Sequence, residues 1–324
     1  MREIVPASVV IPTYNGGCLV RDALGSLKRL NQLPSEVIVV DDKSTDDTVR
    51  VVKAEQVDFP VPLSVIVLDR NSGGPARPIN FGVETAKSDL IYVLDQDDTV
   101  VNDSLRKLVD TISASRGNAF AFHWAEIKDH SSKIPSRFNR IELRGYDPEA
   151  GEGGGFDFIE SQTLTRALVS NGNFIEGFPG FMFSRRFLGT KLPVDESFKI
   201  AGDYDLLLRL ATKANAGLSN SIGYIRNLHG GNLSSNSVLL QTEMARILMR
   251  YITISEFQRE ISERIMGLAY SLRKMAAHRE AINILLGLSK TQPDNAKCKK
   301  LLSKTRIAAM LHKTLGVFRL RPKS

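Results

Sequence analysis

Asp89-Leu90-Ile91-Tyr92-Val93-Leu94-Asp95-Gln96-Asp97-Asp98 is the stretch whose reading decides the fold. It opens as a short apolar run, Leu90 to Leu94, rich in β-formers, so it reads as a buried strand. It ends in three carboxylates, Asp95, Asp97 and Asp98. Strand alternation points Asp95 and Asp97 one way and Asp98 the other unless the chain turns. Thr99 to Asp103 reads as that turn, leading into a helix from Ser104. Carboxylates crowded at a strand end repel one another. A divalent cation that prefers oxygen ligands, Mg²⁺ or Mn²⁺, relieves the repulsion. The bland alternative is a solvated acidic turn capping the next helix.

The flanking sequence repeats the theme. Ala7 to Ile11 is a short apolar strand, followed by the breaker-rich Pro12-Thr13-Tyr14-Asn15-Gly16-Gly17. Leu19, Ala23, Leu24, Leu27 and Leu30 recur at helical spacing. Glu36 to Val40 is a second strand ending in Asp41-Asp42, and Thr48 to Ala54 a helix. Leu63 to Leu68 is a third strand, and Ala76 to Ala86 a helix that Pro78 should interrupt early. Strands alternating with helices predict a mostly parallel sheet covered on both faces, with ligands beyond the strands' C-terminal ends. Three of those ends carry Pro12 to Asn15, Asp41-Asp42 and Asp95 to Asp98, which favours a site over a solvated turn.

With 324 residues, one large or two smaller domains are expected. No apolar run approaches the ~20 residues of a bilayer span. The start, Met1 to Pro6, enters a strand-like run without a signal-peptide pattern. Cys18 and Cys298 are far apart and lack metal-ligand spacing, which suggests a reducing compartment. The net charge of +7 sits in the tail: residues 295–324 hold nine Lys and Arg and no acid. The rest of the chain is therefore slightly acidic, and no nucleic-acid partner is expected. Neither a Gly-rich dinucleotide fingerprint nor a Gly-Lys-Ser/Thr loop is present, so phosphate recognition falls to a metal. Gly151 to Gly155 reads as a flexible loop.

Val9 to Asn15, Val39 to Asp46 and Leu94 to Asp98, in that order, resemble the family-2 glycosyltransferases, inverting enzymes of the GT-A fold. The resemblance runs over roughly residues 5–235. It implies an α/β GT-A domain over 1–236 with a mostly parallel sheet, followed by a C-terminal helical region over 237–324. It implies a nucleotide-diphospho-sugar donor, a glycan or lipid-linked acceptor, and Mn²⁺ or Mg²⁺ as cofactor. UDP is the nucleotide the family favours. Pro12, Thr13, Tyr14 and Asn15 then resemble the nucleotide floor and Asp42 the carboxylate that meets the base. Asp97 and Asp98 match the acidic element for ribose and metal, with Asp98 the direct metal ligand and Asp95 an added contact. Relatives carry an Arg-Asn pair where this chain has Arg77-Pro78-Ile79-Asn80, so Arg77 and Asn80 are donor-contact candidates.

Ile200 to Leu210 matches the family's later acidic motif, with Gly202-Asp203 in place of Glu-Asp. The match makes Asp203 the catalytic base. Read locally, Asp203 is equally a helix-start aspartate. His229, in Tyr224 to Ser234, matches a histidine that approaches metal or diphosphate, and Arg226 is a weaker candidate. The segment around Gly177-Phe178-Pro179-Gly180 matches the acceptor-facing region, although core packing suits most of its aromatics. Trp124 and His123 suit a core or acceptor-edge position equally.

From Ser237 onward the pattern is helical, with one stripe over Leu240, Met244, Ile247, Leu248 and Tyr251 and another over Ala281, Ile282, Leu285 and Leu286. In the tail, Ile307, Met310, Leu311, Leu315 and Phe318 line one helix face, flanked by Arg306, Lys313, Arg319, Arg321 and Lys323. Residues 305–324 therefore either meet an anionic membrane surface or dock as a packing helix. The protein is expected to be cytoplasmic, free or peripheral on the cytoplasmic face. Two rival readings stand beside the enzyme: a nucleotidyltransferase and a degenerate GT-A binding or scaffold module. The missing basic phosphate loop argues against the first, and the retained Asp42, Asp97, Asp98 and Asp203 argue against the second.

Overall fold

A computed structural model describes residues 2–114, 119–129, 137–139, 156–189 and 191–319. The strands and helices are, in order, β1 (Ile4–Thr13), α1 (Gly17–Lys28), β2 (Leu33–Asp41), α2 (Thr48–Gln56), β3 (Leu63–Val67) and α3 (Ala76–Thr85). Next come β4 (Leu90–Val93), β5 (Thr99–Val100), α4 (Ser104–Ser113), β6 (Phe120–Asp129), β7 (Arg137–Asn139), β8 (Phe156–Ile159) and α5 (Ser161–Asn171). Then follow β9 (Phe181–Ser184), α6 (Arg185–Leu188), α7 (Gly202–Ala211), β10 (Ala216–Leu228), α8 (Ser237–Tyr251), α9 (Gln258–Lys274), α10 (His278–Thr291) and α11 (Ala296–Arg319).

Among the described residues the strands form one sheet in the order β3-β2-β1-β4-β9-β6-β10-β5, with β7 on β6 and β8 on β10. β3, β2, β1 and β4 run parallel. β9 is antiparallel to both β4 and β6, and β10 returns parallel to β6. β1 is a near-continuous apolar run because both of its faces are covered. Val5, Ala7, Val9 and Ile11 pack into the cluster built with α1, α2 and α4. Val10 faces the other way, with Val40, against α3. Each buried Val or Ile among them contributes about 1.5–3 kcal/mol. Pro78 does not interrupt α3: it sits in the first turn, where its missing N–H has no intrahelical partner to lose.

Two compact units are present: residues 1–168 with 173–232, and residues 169–172 with 233–324. The second packs α8 on α9, α9 on α10 and α10 on α11. Its core is Ile247, Leu248, Ile261, Ile265, Leu272, Leu285 and Leu288. α9 is the helix that the apolar stripes did not single out. Gly151 to Gly155 lie outside the described residues.

Candidate active site

The C-terminal ends of β1, β2 and β4 share one edge, and their loops are tied together by side chains. Asn15 takes a left-handed backbone (φ 46°). Its N–H donates to Ser44 Oγ and its Oδ1 accepts from the Thr45 N–H, both at 2.8 Å. Gln96 joins the β1 loop to the acidic turn: its Oε1 accepts from the Tyr14 N–H (3.0 Å) and its Nε2 donates to the Tyr14 carbonyl (3.2 Å). Tyr14 itself remains 46% exposed, open to a ring stacked upon it. Asp42 is buried, and its carboxylate accepts from the Ser72 N–H and Ser72 Oγ, both at 2.9 Å. Lys199 Nζ closes over this corner onto the Ser72 carbonyl (2.7 Å). Arg77 pairs with Asp69 through Nη2 (2.9 Å), and its buried Nη1 has no partner among the described residues.

Asn80 is buried. Both ends of its amide are spent on Val194, Oδ1 accepting from the N–H (2.9 Å) and Nδ2 donating to the carbonyl (2.8 Å). Its Nδ2 also lies 3.3 Å from Glu196 Oε1, so Asn80 holds this loop in place.

β4 ends at Val93, although the Leu94 N–H still bonds the Val10 carbonyl (2.9 Å). The chain then turns, with the Asp98 N–H on the Asp95 carbonyl (3.2 Å). This turn is braced from the end of β10. The Asn227 N–H donates to Asp98 Oδ1 and its Nδ2 to the Asp97 carbonyl, both at 2.9 Å. Asn232 Nδ2 donates to Asp97 Oδ2 (2.9 Å). His229 Nε2 lies 3.0 Å from the same oxygen while its Nδ1 accepts from the Gly231 N–H. Both ring nitrogens are thus engaged, and the imidazole stands against Asp97 at the acidic turn.

Burial and then the charge of Asp97 and Asp203 push Asp95 up to about 8. Asp98 is raised well above the carboxylate range by burial and then by Asp95 and Asp97, against the pull of the Asn227 N–H and Arg226. These are carboxylates short of positive charge, and an all-oxygen donor set of this kind fits Mg²⁺ or Mn²⁺. Among the described residues no three acid, His or Cys side chains form a ready-made metal cage.

Asp203 stands in the first turn of α7, among N–H groups with no intrahelical partner. Its carboxylate accepts from Asn173 Nδ2 (2.6 Å) and the Tyr204 N–H (2.7 Å). Burial raises it to about 6, opposed by the Tyr204 N–H and Arg226. Between Asp203 and Asp95 runs the loop from Asn173 to Gly180. Gly177 has φ 120°, and a Cβ there would lie 3.8 Å from Asp95 Oδ2 and 4.0 Å from Asp203 Oδ2. Only glycine adopts that backbone at ease, so the loop brings bare main chain to the two acids.

Three aromatic residues hold the loop from beneath. Tyr224 OH donates to the Glu176 carbonyl (2.8 Å), and Tyr92 OH to the Pro179 carbonyl (2.8 Å). His123 Nε2 lies 2.7 Å from that same carbonyl, and the ring stacks on Tyr224. Burial lowers His123 to about 4, so it is neutral and donates. His123 and Trp124 are core residues, as are Phe174, Phe178, Phe181 and Phe183. Sequence reasoning missed Glu176, Gln96, Ser72 and the brace of Asn227 and Asn232. The density of Asn and Gly from Asn227 to Asn232 was the available signal.

The family model of glycosyl transferase family 2 matches residues 8–188. The chain belongs to that family. Succinoglycan biosynthesis protein ExoO of Rhizobium meliloti is 33% identical over 235 residues, 72% of this chain and 63% of its own. The poly(ribitol-phosphate) beta-N-acetylglucosaminyltransferase TarS of Staphylococcus aureus is 36% identical over 101 residues, 31% of this chain and 17% of its own. The chain thus spans less than two thirds of either relative's length. Among solved structures, S. aureus TarS 1–349 in complex with UDP-GlcNAc superposes with a TM-score of 0.57 at 18% identity, covering 97% of this chain and 92% of that one. Mannosyltransferase PcManGT from Pyrobaculum calidifontis, in complex with GDP-Man and Mn²⁺, gives 0.56 at 14%, covering 96% and 81%. Both likenesses concern the fold, which is GT-A.

Proposed function

We propose that this family-2 protein transfers a sugar from a nucleotide-diphosphate donor to a glycan hydroxyl, with inversion and with a divalent cation. The observation that carries the reading is Asp203, raised to about 6 beside the acidic turn and across Gly177 from Asp95. A carboxylate in that range is ionised at neutral pH and still basic enough to take a hydroxyl proton. The attacking oxygen bonds the anomeric carbon as the bond to the diphosphate breaks, and its proton passes to Asp203. One displacement inverts the centre. Asp42 and the β1 loop would bind the nucleoside, and Arg77, its Nη1 unpartnered among the described residues, would meet the donor. Asp98, with Asp97 and Asp95 beside it, would hold the cation, whose chemistry is to offset the charge of the leaving diphosphate.

UDP-sugars are the first donors to test, since the TarS structure holds UDP-GlcNAc, and GDP-sugars the second. A panel of both, assayed for donor hydrolysis with Mn²⁺ and without acceptor, should show turnover of one. No hydrolysis of any donor, with binding retained, would favour a scaffold role. Formation of a nucleoside triphosphate and a sugar 1-phosphate when inorganic diphosphate is added to the donor, in place of nucleoside diphosphate release, would favour a nucleotidyltransferase.

The acceptor class we propose is a cell-surface polysaccharide or a lipid-linked glycan, in keeping with the names of the relatives. α11 supports a peripheral membrane site: Ile307, Met310 and Leu311 are 58%, 68% and 58% exposed, and Lys304, Arg306 and Lys313 are exposed among them. Leu315 and Phe318 lie beyond the described side chains, and Arg321 and Lys323 beyond the described residues. No helix among the described residues is long and apolar enough to cross a membrane. Deleting 305–324 should release the protein from anionic liposomes and leave donor hydrolysis intact. Equal liposome binding by both forms would make α11 a packing helix.

A further inference from the structure

Arg226 and Glu176 form an ion pair near the end of β10, Nη1 of the arginine donating to Glu176 Oε2, with each side chain about one-fifth exposed (21%). Arg226 directly precedes Asn227, whose N–H and side chain hold Asp98 and Asp97. Its charge acts on Asp95, Asp98 and Asp203 alike. Asp95, Asp98, Asp203 and Glu176 thus all lie within reach of this arginine's charge. An incoming diphosphate adds more negative charge to that excess. A guanidinium is well shaped to meet it, because its planar fork matches phosphate oxygens.

Glu176 is held where it stands with some effort. Its φ is 67°, in the left-handed region that a glutamate seldom adopts. Its carbonyl is fixed by Tyr224 OH, and Gly177 follows at φ 120°. A strained backbone maintained by a buried hydrogen bond points to a functional aim for the side chain. Here that aim is the guanidinium.

We propose that Glu176 is a built-in competitor for Arg226, occupying the guanidinium that the donor's diphosphate takes on binding. The inference rests on the donor reading above. Exchange of one anion for another lowers donor affinity in return for a signal. Binding frees Glu176 on the loop that lies against Asp203, so the loop responds to the donor before an acceptor reacts.

The test is calorimetric titration of the full chain with UDP, with GDP, and with uridine as the control lacking phosphate, each with Mn²⁺. E176Q should bind the preferred nucleoside diphosphate roughly three- to tenfold more tightly, with uridine affinity unchanged. E176D keeps the charge but withdraws it by one methylene, and should shift affinity the same way by less. R226Q should weaken binding, and E176Q/R226Q should match R226Q to within about twofold, the signature of a shared partner. Equal affinity of wild type, E176Q and E176D overturns the proposal. So does an equal gain from E176Q in the R226Q background, which assigns the effect to bulk charge. Wild type that binds neither nucleotide with Mn²⁺ overturns the donor reading and this proposal together.

Discussion

Asp203→Asn changes one atom and separates the base from the helix-start role. In the wild type both carboxylate oxygens accept, one from Asn173 Nδ2 at 2.6 Å and one from the Tyr204 N–H at 2.7 Å. An asparagine presents one oxygen and one NH₂ group, so one of these two donors loses its acceptor, at a cost of about 1–3 kcal/mol. A second effect opposes it. The folded-state pKa of Asp203 is about 6, above the ordinary 3.8, because burial penalises the charge. The folded protein therefore holds that proton more tightly than the unfolded chain, and stability falls as pH rises from about 3.8 through 6. Asparagine removes the penalty, so at pH 7–8 the variant should melt near the wild type. The catalytic effect has no such offset. At pH 7 a group near 6 is roughly nine-tenths ionised, and loss of a general base costs roughly 10²–10⁴-fold in rate. Donor hydrolysis followed by nucleoside diphosphate release should fall by that factor with donor affinity nearly intact. The wild-type rate should decline below about pH 6, and the variant's residual rate should not. Near wild-type turnover, or an unchanged acidic limb in the variant, would refute the base assignment.

Asp98→Ala should abolish Mn²⁺-dependent UDP binding while the circular dichroism spectrum is retained; unchanged metal dependence would move the cation elsewhere. Removing a buried carboxylate already crowded by Asp95 and Asp97 should also leave the melting temperature near or above the wild type's, despite the lost Asn227 contact. Gly177→Ala forces a Cβ onto a backbone at φ 120°, so it should cost about 1–3 kcal/mol and lower turnover more than donor affinity, as the melting curve and a kcat-against-KM comparison will show. At Gly223 a Cβ would fall 1.7 Å from His123 Nδ1. Gly223→Ala should therefore destabilise by about 1–3 kcal/mol, and adding His123→Ala should recover part of the loss in denaturant titration.

The parallel half of the sheet was legible because its strands bury both faces and read as largely apolar runs, as β1, β2 and β4 do. The acidic turn was legible because Asp95 to Asp98 have no reason to gather at a strand end without a ligand. The place of His123 and Trp124 was left open by the sequence and is settled inside β6, where His123 is neutral and buried and Trp124 donates its indole N–H to Asn220 Oδ1. α9 escaped notice because Ile261, Ile265, Leu268 and Leu272 are separated by charged residues that dilute the stripe. Partnerships at the site were not legible at all. That Asn80 meets the Val194 backbone, and that His229 meets Asp97, depends on contacts distant in sequence. Glu176 carries no local signal, because its importance comes from Tyr224 and Arg226 some 50 residues later.

The brace at the end of β10 also bears on how the protein comes into being. Asp97 and Asp98 meet Asn227, His229 and Asn232 across 129 to 135 residues of chain. Closing so long a loop is slow compared with forming the local β-α units that precede it. During synthesis the first three strands and their helices leave the ribosome well before β10 exists. A nascent chain that ends at residue 188 contains the whole family match and all three acids of the turn, yet lacks both Asp203 and the segment that sets the turn's geometry. The acidic turn then stands unsupported, with its mutual repulsion unrelieved, until the last strand threads in beside β6. Competence for chemistry is thus a late event in the life of this chain, withheld until nearly the entire first unit has been made.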